Sequence, residues 1–418
     1  HSIAHLVGHV GEVTQEDLDN DEEGNYRERD MIGKRGLESL FEEELRAKRG
    51  VRVYLSGNEK QILYEVPAEA GQDFHLTIDI ELQNKLYSLF KEDEGQAVCL
   101  DPYSGDILAI LSFPSFDPNE FVQGISSASY QALLNDSRLP LWNKFQPKYA
   151  PGSTMKIPSA MAGLNSGVLT PDTTKTIIGK TWQPDASWGS YEIARFTVYD
   201  SPQDLTQAIV ISDNIYFAQV ALEMGRESFQ EELLNLGFTE EVPSSYPFPT
   251  AQFSNSGDIG DSVMLAASSY GQGEIEVTAT QMAAIFSAVA ADGNIPAPRL
   301  LMSDEISVWK ENVVSGANRD VLRQALREAV EQTHRSNAYR DYATLGGKSG
   351  TVEAAWDSEL ERISLDSWFI GFDLDQPDMV IAIQEQNVHK SQDRPSAARR
   401  FGEVFDLLYQ GESDSSGE

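Results

Sequence analysis

The sequence predicts an α+β fold, and three observations predict it. Two apolar strand-like runs, "QAVCL" and "ILAILSF", flank the turn "DPYSGD" near residue 100. Helical patterns then dominate from "APGSTMK" to about residue 335. Strand-like runs return in "YATLGGKSGTVEAAW", "DSWFIGFDLD" and "DMVIAIQEQN", before a closing helix "RPSAARRFGEVFDLLYQ". Early and late strands separated by helices argue for one sheet that joins both ends of a domain.

The elements follow in order. In "GLESLFEEELRAK", Leu37, Leu40, Phe41 and Leu45 share one face of an amphipathic helix. "VRVYLS" and "KQILYEV" read as a hairpin. In "HLVGHVGEV" the glycines argue against a helix, although His5 and His9 are four apart. "LTIDIELQNKLYSLFKEDEG" is a helix that starts at Asp79 and ends before Gly95. The stretch between "FDP" and "APGSTMK" reads as irregular. This division gives a smaller domain over 1–70, the main domain over 71–411 and a disordered acidic tail over 412–418. "HSIAHLVGHVGEVT" reads as the middle of a fold, so a segment upstream of it is expected.

Composition excludes several functions. The chain has 418 residues, enough for roughly two or three domains. Hydrophobic residues make up 40%, enough for a sizeable core. Lys and Arg number 32 against 66 Asp and Glu, a net charge of −34. Such a surface repels nucleic acid and anionic lipid. It also points to ionic surroundings, so stability is expected to rise from low to high salt. The single cysteine, Cys99, excludes an internal disulfide and reads as a small core residue. The six histidines show no zinc-ligand spacing. Asp19, Asp21, Glu23, Gly24 and Asp30 approximate a calcium loop, but Glu23, Tyr26 and Asp30 depart from it at the fifth, eighth and twelfth positions, and a solvated loop is expected. No apolar run approaches the roughly twenty residues that cross a bilayer.

The chemistry concentrates in "YAPGSTMKIPSA". Ser-x-x-Lys occurs three times, also as "SLFK" from Ser88 and "SVWK" from Ser307. Ser88 falls late in a helix and Ser307 in a short alternating segment. Ser153 alone follows a helix-breaking Pro151-Gly152 pair, so it opens a helix and its N–H joins the free donors of that terminus. Lys156 lies on the same helical face, within reach of the serine oxygen. A lysine serves as a base only when neutral, which burial and a nearby cation favour. "GGKSGTVE" supplies that cation as Lys348, followed by Ser349, Gly350 and Thr351 on an apparent strand; the glycine would let a substrate backbone lie against it. In "VISDNIYFAQ", Ser212 can relay a proton, Asn214 can hold an amide oxygen through its N–H₂, and Asp213 caps the following helix. Ser-x-Asn also appears at Ser56, so each motif alone is weak; their order together is specific. Pro158, inside the helix, is expected to cost about 3 kcal/mol and to threaten the placement of Lys156.

On these motifs, and on "IGKRGLE", "LTIDIELQ", "LWNKFQPKYAPGSTMK", "SWGSYEIARF" and "SSYGQGEI", the sequence resembles class B penicillin-binding proteins over essentially its whole length. The likeness is strongest to the low-affinity methicillin-resistance type of Gram-positive bacteria. The resemblance implies a penicillin-binding, serine β-lactamase-like transpeptidase domain. It has an antiparallel sheet with a helical subdomain, preceded by part of an N-terminal dimerisation-type domain. It implies Ser153 as the acylated nucleophile, Lys156 as its base, and Ser212 and Asn214 as the second motif. Lys348, Ser349, Gly350 and Thr351 would line the opposite wall, with Thr351 N–H a second oxyanion donor, and Tyr191 would stand near the cleft mouth. The implied activity is D,D-transpeptidation of peptidoglycan stem peptides, blocked by β-lactams, with no cofactor or metal. The implied partners are other cell-wall synthesis proteins, and the implied place is the extracytoplasmic face of the membrane, reached only through an anchor outside these residues. Two other functions compete. One is a D,D-carboxypeptidase or β-lactam hydrolase on the same machinery; the other is a non-catalytic β-lactam sensor or scaffold.

Overall fold

The computed structural model describes residues 1–55, 57–357, 362–388 and 396–415, which form two compact units. The first unit comprises His1–Leu76 and Ser115–Trp142; the second comprises Thr77–Pro114 and Asn143–Glu418. Residues 115–142, placed in the main domain on sequence grounds, thus belong to the smaller unit. They are not irregular there. Asp117 and Ser126 cap two short helices, Pro118–Gln123 and Ser127–Asn135, by accepting from backbone N–H groups.

In the first unit β1 (His9–Glu12) pairs antiparallel with β2 (Met31–Arg35). A single helical turn, Ala4–Val7, does form before Gly8, contrary to the sequence expectation, because the glycine lies just past it. The expected amphipathic helix is broken into Gly36–Leu40 and Glu42–Leu45. Phe41 leaves the helical conformation and stacks on Phe74 at 4.6 Å, while Leu40 turns to solvent. The hairpin is present as β3 (Val51–Leu55) and β4 (Asn58–Val66), with Val53, Tyr54, Leu63 and Tyr64 exposed. The acidic loop is held by local partners. Thr14 and Asp17 form a capping box, Asp17 pairs with Lys34, and Asp21 accepts from Tyr26 N–H at 2.7 Å. Among the described residues no cluster of His, Cys, Asp or Glu is placed to hold a metal ion. Nor is any described helix long and apolar enough to cross a membrane.

The second unit is built on one antiparallel sheet. Its early strands are β5 (Gly95–Leu100) and β6 (Ile107–Phe113). Its late strands are β7 (Leu345–Asp357), β8 (Arg362–Asp373) and β9 (Val380–Glu385). Their order is β7-β8-β9-β5-β6, so early and late strands do meet, at the β9–β5 pair. Strand alternation sends Ala97, Cys99, Phe369, Ile381 and Ile383 to one face. There they pack with Leu86 and Phe90 of α1 (Ile80–Phe90, capped by Asp79). The other face meets a helix of twelve buried residues, Ala279–Ala290. Burial of the Cys99 thiol raises its pKa, as an inert core residue requires.

This arrangement leaves β7 at the edge of the sheet, and against that strand packs the turn Gly152–Met155, which leads into α2 (Lys156–Asn165). Pro158 does no harm to α2. It is the third helical residue, where the backbone N–H has no intrahelical acceptor to lose. The described residues end in α3 (Ala397–Ser415), which takes in 412–415, expected to be tail.

Candidate active site

Ser153 does not open an α-helix directly. It lies in a 3₁₀ turn, Gly152–Met155, that feeds into α2. The tighter turn still places Lys156 Nζ 2.7 Å from Ser153 Oγ. Two glycines hold this turn against its neighbours. A Cβ on Gly350 would lie 2.7 Å from Pro151 O, so this glycine of β7 makes room for the serine turn. A Cβ on Gly271 would lie 1.9 Å from Gly152 O, and Gly152 N–H donates to Gly271 O at 3.1 Å.

The second motif forms the turn before the helix Asn214–Met224. Ser212 sits at φ 58°, a left-handed conformation that costs a non-glycine residue about 1–3 kcal/mol. Asp213 secures it. One carboxylate oxygen caps the helix, accepting from Ile215 N–H and Tyr216 N–H at 2.8 and 3.2 Å. The other accepts from Arg195 Nη1 at 2.9 Å and Gln203 Nε2 at 3.0 Å. The Arg195 side chain is 0% exposed and also donates to the carbonyls of Gly179, Ile177 and Tyr199 and to Asp200. Held this way, Ser212 offers both its carbonyl (2.9 Å) and its hydroxyl (3.0 Å) to Lys156 Nζ. Asn214 Oδ1 is 2.7 Å from the same nitrogen, and one Asn214 N–H is taken by Ala194 O at 2.9 Å. The other N–H is the one available for an amide oxygen.

The third motif lies on β7. Lys348 Nζ stands 3.0 Å from Ser212 Oγ and donates to Ser349 O at 2.9 Å. The Ser212 hydroxyl therefore bridges two lysine nitrogens. Both lysines are buried, at 0% and 2% exposure. Burial pushes the Lys156 pKa far below its ordinary value, and the charge of Lys348 pushes it further the same way. Burial alone takes Lys348 down to about 7. Two ammonium groups this close do not both persist at neutral pH. Burial and the charge of Lys348 favour the neutral form of the lysine beside Ser153, against the opposing charge of Asp213, and a neutral amine there can accept the serine proton.

The structure thus joins Ser153, Lys156, Ser212, Asn214 and Lys348 in one hydrogen-bonded cluster, with Ser349 and Gly350 adjoining and Thr351 exposed on the open edge. Tyr191 is 39% exposed, its hydroxyl 3.3 Å from that of Tyr270, the residue before Gly271. Among the described residues its hydroxyl reaches toward the site through that neighbour. Ser88 spends its hydroxyl on Asn84 O at 2.9 Å inside α1. Ser56 lies outside the described residues. Sequence reasoning missed Arg195 and Gln203. The signal for Arg195 was a lone arginine among the apolar residues of "EIARF".

The geometry defines a candidate class: a serine hydroxyl 2.7 Å from a buried lysine amine whose pKa burial lowers is the arrangement of a serine–lysine pair. Comparison with known proteins gives the family. Residues 95–406 match the penicillin binding protein transpeptidase domain, and residues 1–76 match the penicillin-binding protein dimerisation domain. The chain belongs to this penicillin-binding protein family. Penicillin-binding protein 3 of Bacillus subtilis (strain 168) is 38% identical over 390 residues, covering 92% of this chain and 58% of that protein. Peptidoglycan D,D-transpeptidase MrdA of Escherichia coli (strain K12) is 33% identical over 327 residues, covering 72% of this chain and 50% of that protein. The chain therefore spans about half the length of these relatives. The solved complex between penicillin-binding protein PBP2 and MreC from Helicobacter pylori shares the fold, with TM-score 0.80 at 21% identity over 97% of this chain and 78% of that one.

Proposed function

We propose that this chain is a serine D,D-transpeptidase that cross-links peptidoglycan stem peptides outside the cytoplasm, at the cell wall. The observation that carries the reading is the 2.7 Å contact between Ser153 Oγ and a lysine driven toward its neutral form. Ser153 Oγ attacks the penultimate D-Ala carbonyl while its proton passes to Lys156. The oxyanion is met by the N–H groups of Ser153 and Thr351. The amide bond breaks, and the departing D-Ala nitrogen takes the proton from Lys156 through the Ser212 hydroxyl. The carboxylate of that terminal D-Ala faces Lys348, Ser349 and Thr351, three donors on one strand. Asn214 holds the substrate amide through its remaining N–H. An amine of a second stem peptide then attacks the acyl-enzyme, and Ser153 recovers its proton as the cross-link forms. The MreC complex of the Helicobacter pylori protein favours cell-wall synthesis proteins as partners.

Intact-protein mass after incubation with a penicillin tests the reading. A persistent adduct, absent from Ser153→Ala, is expected. Rapid loss of the adduct to water would turn the reading toward a D,D-carboxypeptidase or β-lactamase. Absence of any adduct with every β-lactam tried would turn it toward a scaffold.

A further inference from the structure

Between the long helix Gly316–Thr333 and β7 stands His334, a residue with no part in the three motifs. Its backbone is pinned on both sides. The N–H reaches Ala329 O and Val330 O, both at 3.2 Å, and the carbonyl accepts from Asn337 and Ala338 at 2.9 and 2.8 Å. The ring meets Phe369 edge-on, with centroids 5.6 Å apart and planes at 90°. Nε2 lies 3.0 Å from Ser349 Oγ. Phe369 is the cross-strand partner of Ser349 on β8. A single strand pair therefore carries both the surface against which the imidazole rests and the hydroxyl that it touches.

Burial, reinforced by the charge of Lys348, lowers the His334 pKa to about 4, so the ring is neutral at neutral pH and carries one N–H. Two tautomers are open to it. With the proton on Nδ1, the ring accepts the Ser349 hydroxyl proton, and the serine then presents lone pairs to the cleft. With the proton on Nε2, the ring donates to Ser349 Oγ, and the serine O–H is left to donate elsewhere. An anionic group at the cleft requires the second arrangement.

We propose that His334 is a positioning residue. As the Nε2–H tautomer it donates to Ser349 Oγ and turns the serine O–H toward the carboxylate of the bound substrate. This rests on the reading of Ser349 as a carboxylate donor. The effect falls on binding and not on the chemical step, because the hydrogen bonds of Ser153 and Lys156 among the described residues run to other groups than the ring.

The test uses the intact chain and a penicillin, whose carboxylate stands in for that of D-Ala. Dissociation of the pre-acylation complex is separated from the acylation rate constant. Ser349→Ala and His334→Leu are each expected to weaken the first step about tenfold, the worth of one good hydrogen bond, with acylation nearly unchanged. His334→Gln, which keeps an N–H donor, is expected to recover part of the loss. The double variant is expected to be no weaker than Ser349→Ala alone. If His334→Leu weakens binding as much without the serine as with it, His334 acts through the fold and the inference is overturned. If Ser349→Ala binds normally, the carboxylate reading of Ser349 fails, and the inference with it. Nitrogen-15 NMR of the wild-type imidazole supplies a readout that needs no variant. A proton on Nε2 supports the proposal, and a proton on Nδ1 overturns it.

Discussion

The two walls of the site are built on opposite plans. The helical wall is closed: Lys156 is fully buried and its nitrogen meets Ser153, Ser212 and Asn214 within 3.0 Å. The strand wall opens as it runs along. Lys348 is buried, Ser349 is partly covered, and Thr351 and Glu353 are exposed on a strand that has no further strand beyond it among the described residues. A saturated wall fixes where protons reside, whereas an open edge leaves backbone and hydroxyl donors for something that arrives. In the proposed reaction, chemistry resides on the first wall and recognition on the second.

The largest effect should come from the closed wall. Lys156→Met removes the proposed base while keeping the stem length, so acylation by a penicillin should fall by roughly 10²–10⁴-fold. Rapid-quench mass spectrometry gives the rate. A loss below tenfold would move the base elsewhere. Arg195→Met should come next, and its effect should appear first in stability. It leaves the Asp213 carboxylate buried opposite no cation, a change that costs about 3–5 kcal/mol. A thermal melt should drop by many degrees, and acylation at low temperature should fall as well, because Ser212 loses the support of its left-handed backbone. An unchanged melt would mean that Gln203 and the helix cap suffice. Gly350→Ala probes the contact between the walls. Its Cβ would press on Pro151 O, a backbone atom that cannot rotate aside, so a loss of about 1–3 kcal/mol in stability is expected. Acylation should slow with it, since the same shift moves Ser153.

The closed wall was more legible in the sequence than the contact between the walls. Ser153–Lys156 and Ser212–Asn214 are short motifs whose geometry follows from one turn of backbone. Their residue types state the chemistry before any fold is known. Arg195 escaped because its partner Asp213 lies eighteen positions away across a loop, where no periodicity relates them. The contact of Gly350 with Pro151 is not legible either. A glycine on a strand signals a close approach, but which backbone approaches is a tertiary fact. Pro158 gave a false alarm for a related reason, since its harmlessness depends on the 3₁₀ turn that resets where α2 begins. The sheet was legible from its apolar runs, while the assignment of 115–142 to the smaller unit was not. Short polar helices carry little periodic signal, and nothing in their sequence says which core they join.

The smallest effect tests whether the walls share one proton. Lys348 is buried to a pKa of about 7, so its charge is lost as pH rises through neutrality. Lys156 is also held well below the ordinary lysine range, by burial and by the charge of Lys348, and the proposed reaction requires its neutral form. Acylation should therefore rise with pH as Lys156 deprotonates, then decline on an alkaline limb near 7 as Lys348 stops attracting the carboxylate. Stability should follow a different course. The unfolded lysine keeps its proton to about 10.4 while the folded one has lost it, so folding strengthens between about pH 7 and 10 instead of weakening. Lys348→Arg separates the two courses. Guanidinium stays charged throughout, so the alkaline limb should move up by more than one pH unit, at the expense of a modest loss in rate from poorer fit. A limb that stays near pH 7 in the arginine variant would assign it to another group, and the two lysines would then titrate independently.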